Sequence, residues 1–160
     1  MNFKKILVAV DASENSARAV EYTGTMIGNS TGFSICLLYV EHLPERDIYP
    51  DEKSWNDACE QEKDKVNNFL EKAQKTLAEK KVNPENVSIK YVSVSEQNSL
   101  ADKVQGRGVS FHIMRVQKED GFGTVVVGRR GVSKAEEFLF GSVSTKIIHH
   151  IKDCTVWVVE

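Results

Sequence analysis

An α/β protein with a five-stranded parallel sheet and helices on both faces is the fold class the sequence predicts, and two observations predict it. Short β-favouring runs alternate with longer helical patterns along the chain, β-α four times and then β. Two of the runs, Ile6-Leu7-Val8-Ala9-Val10 and Thr124-Val125-Val126-Val127, are almost unbroken in apolar residues. That is the composition of strands buried on both faces, as in a parallel sheet covered by helices. At 160 residues the chain fits one domain, residues 1–160, long enough to bury a continuous core without disulfides or metal.

Each element follows from local pattern. Lys4-Lys5 and Asp11 bound the first strand, and Ser13 stands where a cap of the first helix is expected, with Ala17, Val20, Gly24 and Ile27 as its apolar stripe. Gly28 to Gly32 is turn composition. Phe33 to Val40 reads as the second strand, and Leu43 to Asp51, with two prolines, as a loop. Trp55, Cys59, Val66, Phe69, Leu70, Ala73 and Leu77 keep helical spacing until Asn83-Pro84 stops the helix. Val87 to Val94 reads as a third strand with one more exposed face, suited to a sheet edge.

Ser95 to Gly108 is polar and reads as an extended loop with a short helical turn at 100–104. Val109 to Gln117 satisfies both a strand and a helix pattern, but a parallel neighbour at Thr124 to Val127 requires a covering crossover, so a helix is expected. A helix from Ser142 to Ile151 and a terminal strand from Cys154 to Val159 complete the chain.

Charge and cysteine usage exclude several classes. Twenty-one basic against twenty-three acidic residues give a net charge of -2. They are mixed along the chain, so there is no electrostatic footprint for nucleic acid or an anionic membrane. Asp11 interrupts the first apolar run too early for a signal peptide or a spanning helix, and a cytoplasmic protein is expected. Three cysteines without CxxC spacing, and adjacent His149 and His150 projecting about 100° apart on a helix, argue against a metal site and a disulfide framework.

The chemistry gathers near the end. Gly128, Gly131 and Gly141-Ser142 follow the fourth strand and open the last helix. Backbone N–H groups, with the hydroxyls of Ser142 and Ser144, collect there at a helix N-terminus, which attracts anions. Alone, Gly128 is an ordinary turn glycine, Ser142 an ordinary N-cap and Asp11 an ordinary cap of the first helix; their joint spacing favours a phosphate cradle. Arg129 and Arg130 suit either phosphate charge or solvent. If the strand order is 3-2-1-4-5, Asp11 and Gly128 end the two strands flanking the crevice where such sheets bind ligands. Gly106-Arg107-Gly108 is not a dinucleotide fingerprint, because Phe111 takes the third glycine position, and the chain has no P-loop lysine motif.

The spacing G-x2-G-x9-G-S of Gly128, Gly131, Gly141 and Ser142, together with Val8-Ala9-Val10-Asp11-Ala12-Ser13 and Leu37-Leu38-Tyr39-Val40, resembles the universal stress protein family over nearly the whole chain. The resemblance implies a Rossmann-like fold of the adenine nucleotide alpha hydrolase type with strand order 3-2-1-4-5. It also implies binding of ATP, or AMP or ADP, with Mg2+ or Mn2+ as a companion ion, and a homodimer through the final strand, 155–159. Carried over by residue, Asp11 matches the acidic residue at the nucleotide crevice and Val40 the position whose backbone meets adenine, while Ala9 and Val10 line the pocket. Gly128, Gly131, Gly141, Ser142, Val143 and Ser144 match ribose and phosphate contacts, and Arg129 stands beside them as a further candidate for phosphate. Thr155 stands where the family has proline, and Glu136-Glu137 place two negative charges in the loop expected to cover the phosphates. With no paired general base and metal cluster in the pattern, a regulatory binding module is expected. A slow ATPase using Asp11 and Ser142, or a nucleotide-free dimerisation module, are the alternatives.

Overall fold

A computed structural model describes residues 2–93, 108–129 and 142–160. In chain order the elements are β1 (Asn2–Val10), α1 (Glu14–Ile27), β2 (Ser34–Val40), α2 (Glu52–Glu79), β3 (Val87–Val92), α3 (Val109–Glu119), β4 (Phe122–Gly128), α4 (Ser142–His150) and β5 (Thr155–Val159). Short 3-10 turns lie at Arg46–Ile48 and Pro84–Asn86. The strands form one parallel sheet in the order β3-β2-β1-β4-β5, the order and class expected from the sequence.

β1 is central because both its faces are apolar. Ile6, Val8 and Val10 point into one core with Ala19, Val20 and Ile27 of α1 and Val66, Leu70, Ala73 and Leu77 of α2. Leu7 points the other way, into a second core with Ile113 and Val116 of α3 and Ile147 of α4. Period-two alternation therefore assigns two helices to each face. The ambiguous segment after Gly108 is the expected helix, and crossover topology decides it where periodicity does not.

Several boundaries differ from the expected ones. β1 starts at Asn2, four residues before the apolar run, because its polar first residues still join the ladder: Asn2 lies opposite Phe122 and Lys5 opposite Ser34. Ala17, expected in the buried stripe of α1, is exposed. The buried stripe is Ser16, Ala19, Val20, Thr23, Gly24 and Ile27, so the core-facing line runs through two polar residues that an apolar count passes over. In α2, Trp55, Cys59 and Phe69 are only partly buried. The Trp55 indole N–H donates to the Pro44 carbonyl at 3.0 Å and ties down the incoming loop. β3 is the sheet edge, as expected. It ends at Val92, and Val94 with the connection 95–107 lies outside the described residues. No helix among the described residues is long and apolar enough to cross a membrane.

Candidate functional site

The direction in which strands are added reverses between β1 and β4, so the carboxyl ends of these neighbours frame a crevice. Their register places Ala9 beside Val127, and on the other side Val10 beside Tyr39 of β2. The chain leaves β1 through Asp11 and turns sharply at Ala12, which has a φ of 59°. That left-handed conformation is costly for a residue with a Cβ and is the kind of strain found where surrounding structure fixes a functional turn.

A small polar knot holds this turn. Asp11 Oδ1 accepts from the Ser16 hydroxyl at 2.7 Å and from the Ser13 N–H at 3.1 Å, while the Asp11 N–H donates to Ser16 Oγ at 3.0 Å. Ser13 in turn caps α1, its Oγ accepting from the Ser16 N–H at 3.2 Å. Asp11 is exposed and Ser16 is buried, so a buried hydroxyl anchors an outward-facing carboxylate. The Ser13 cap is expected from the sequence, whereas Asp11 holds the turn before the helix instead of capping it. Ser16 is not, although two serines three apart after an aspartate carry the signal.

Gly128 ends β4. A Cβ built on it would fall 2.7 Å from the Asn15 carbonyl oxygen and 2.8 Å from the Asn15 carbonyl carbon, so glycine here lets the strand end pass against the first turn of α1. Arg129 follows, its N–H donating to the Val159 carbonyl at 2.6 Å and its guanidinium pairing with Glu160 at 2.5 Å. Of the two roles open for Arg129 in the sequence, the structure shows the side chain turned toward β5 and an acidic partner.

Ser142 is exposed at the start of α4, Val143 packs on the second core and Ser144 is buried. Arg130, Gly131, Glu136, Glu137 and Gly141 lie outside the described residues. Val40, the last residue of β2, is 5% exposed, and the next amide, of Glu41, donates to the Val92 carbonyl at 2.9 Å. Beside the crevice, Ala12 borders an open groove of about 530 Å³ walled by α2 residues that include Lys65, Asn68, Phe69 and Lys72. A second concavity, about 500 Å³, includes Gln117, Phe122 and His150 in its walls and lies at the amino end of β4, remote from the crevice. Among the described residues no group of three His, Cys, Asp or Glu side chains is placed to hold a metal ion.

A parallel sheet of this order, with a strained acidic turn at the strand-order reversal and a serine-bearing helix start beyond β4, defines an α/β protein whose candidate site is the switch point. The family model described as the universal stress protein family matches residues 2–160. The chain belongs to the universal stress protein family. It is 27% identical over 166 residues to universal stress protein YxiE of Bacillus subtilis (strain 168), covering 99% of each chain. Among solved structures it is similar to a universal stress protein in complex with cAMP, with a TM-score of 0.65 and 16% identity over 100% of this chain and 98% of that one. It is also similar to the Archaeoglobus fulgidus universal stress protein in complex with dAMP, with a TM-score of 0.63 and 15% identity over the full length of both.

Proposed function

We propose that this chain binds an adenine nucleotide, ATP or its mono- or diphosphate, in the crevice beyond β1 and β4, and acts as a regulatory binding module. One observation carries the reading. Two segments more than a hundred residues apart meet on adjacent residues of α1, with Asp11 bonded to Ser16 and Gly128 against Asn15. The strand ends that would flank a bound nucleotide are thus fixed to one rigid turn, which is the preorganisation a small-ligand site needs. Complexes of related folds with cAMP and dAMP support the choice of adenine.

In this reading Ala9, Val10 and Val40 line the base pocket, and Asp11 faces the ribose. Gly128, Gly131 and Gly141 leave room for phosphate, which Ser142, Val143 and Ser144 meet at the start of α4, where a helix N-terminus favours negative charge. Mg2+ is ordinarily held by substrate phosphates and one or two carboxylates. A companion ion would therefore arrive with the nucleotide and find Asp11 as its carboxylate. Asp11 Oδ1 already accepts two hydrogen bonds, which suits an anchor and contact better than a general base, so binding rather than turnover is the function assigned. We also assign a homodimer through β5, the terminal strand of the sheet.

The test is direct. Freshly purified protein is denatured, the supernatant is resolved for adenine nucleotide by ion exchange, and emptied protein is titrated calorimetrically with ATP, AMP and GTP. Release of adenine nucleotide, or saturable adenine-selective binding, is expected. Protein that releases no adenine nucleotide and binds none on titration would remove the reading.

A further inference from the structure

The exit of β2 is held by two tyrosines whose contacts the nucleotide reading does not use. Tyr91, next to last in β3, donates its hydroxyl to Glu41 Oε1 at 2.6 Å. Tyr39, opposite Tyr91 in the register, is 5% exposed. The two rings lie 5.2 Å apart between centroids, tilted by 44°, so each limits the movement of the other. The Glu41 N–H closes the ladder on the Val92 carbonyl. Two ties, one on its side chain and one on its backbone, therefore fix Glu41 just beyond the sheet.

This fixation has a directional consequence. Successive residues of a strand turn their backbone groups to opposite edges. With Glu41 facing β3, the Val40 carbonyl faces the β1 edge, one residue past the last register pair, Val10 with Tyr39. There β1 has given way to Asp11 and the left-handed Ala12. A carbonyl held at that place accepts hydrogen bonds only. It matches an exocyclic amine, as on adenine, and opposes a carbonyl oxygen, as on guanine.

We propose that the Tyr91–Glu41 hydrogen bond is a specificity-determining clamp: it positions the Val40 carbonyl so that the crevice selects a 6-amino purine over a 6-oxo purine. This inference rests on the nucleotide reading above. Tyr91 and Glu41 are positioning residues acting through the Val40 backbone. Burial first, and the Glu41 carboxylate second, push the Tyr91 phenol up from its ordinary range, so the hydroxyl stays a donor at neutral pH. The pair is invisible to motif reading because fifty residues separate its members and neither belongs to the glycine pattern.

The experiment measures ATP and GTP dissociation constants for the wild type, Tyr91→Phe, Glu41→Leu and Glu41→Gln, with hydrogen exchange at the Glu41 amide in the ligand-free proteins. Removing the bond while keeping the ring, as Tyr91→Phe does, is expected to lower the ATP-to-GTP preference by about tenfold, the scale of one hydrogen bond to a charged group. It is also expected to speed exchange at the Glu41 amide. Glu41→Leu should behave alike, and Glu41→Gln, which keeps an acceptor oxygen for Tyr91, should stay near the wild type. A preference unchanged in Tyr91→Phe, or equal losses for ATP and GTP, overturns the clamp while leaving nucleotide binding intact. Wild-type protein that binds neither nucleotide overturns the nucleotide reading and the selectivity with it, and unchanged amide exchange then overturns the mechanical clamp as well.

Discussion

Gly128 and Asn15 meet backbone to backbone: the space a Cβ would need at the end of β4 is already taken by the Asn15 carbonyl, 2.7 Å away. Since Asn15 precedes the Ser16 that holds Asp11, this contact couples the glycine end of the candidate site to its acidic end through one helical turn.

Gly128→Ala should therefore strain the site from a distance. The added methyl has nowhere to go unless β4 and α1 separate, an overpacking effect of about 1–3 kcal/mol. A lower urea midpoint is expected, with a larger drop for Gly128→Val and weaker nucleotide binding in both. Equal midpoints for the wild type and Gly128→Ala would mean that the strand end and α1 are not in this contact in solution.

Ser16→Ala removes a hydroxyl that both donates to the Asp11 carboxylate and accepts from the Asp11 amide. Leaving such groups short of partners costs roughly 1–3 kcal/mol. The urea midpoint should fall with an unchanged slope, and nucleotide affinity should fall as the Asp11 turn loosens. Ser13→Ala, which removes the N-cap oxygen, should cost about 1 kcal/mol and affect binding less, because the Ser16 bonds to Asp11 remain.

The sheet was readable because its evidence is local. Ile6 to Val10 and Val125 to Val127 announce buried strands wherever they sit, and alternation with helices then leaves few topologies. The site was readable only where sequence neighbours make it, as in the run from Asp11 to Ser13. Gly128 is visible in the sequence as a turn glycine of the spaced pattern, but the turn of α1 it passes comes from a segment more than a hundred residues away, and no spacing rule supplies that contact. Ser16 hid for another reason. A buried serine in a helix stripe has the hydropathy of a surface residue, so an apolar pattern favours Ala17 for the face of α1 that Ser16 occupies.

Alkaline pH tests the tyrosine pair through stability. Burial is the first cause that pushes Cys36, Tyr39 and Tyr91 above their ordinary values of 9.0 and 10.0, and Glu41 adds to it at Tyr91. A group whose folded pKa is raised holds its proton more tightly in the folded state. Its contribution is complete below the unfolded pKa and is lost as pH rises through that value toward the folded one. The urea midpoint should therefore decline above about pH 9, and Tyr91→Phe, which has no phenol to titrate, should decline less steeply than the wild type. Parallel curves for the two proteins would contradict the Tyr91–Glu41 bond.

The assigned dimer makes its own demand on β5. The Val159 carbonyl accepts from the Arg129 amide, so Thr155, Trp157 and Val159 turn their backbone groups to β4, and by alternation Val156 and Val158 turn theirs to the outer edge. Trp157 itself packs inward, edge-on to the Tyr22 ring at 5.8 Å, and its side chain belongs to its own subunit's core. Pairing with a second copy then depends on the outward N–H and C=O groups, which proline disables at an edge without touching the β4 ladder. Val158→Pro should raise the dimer dissociation constant about a hundredfold, since the two-fold axis counts each lost hydrogen bond twice at about 1 kcal/mol apiece or somewhat more. Sedimentation equilibrium reads this directly, with Val158→Ala as the control for lost packing on the second core. A Val158→Pro protein that stays dimeric at the wild-type concentration dependence would place the interface elsewhere.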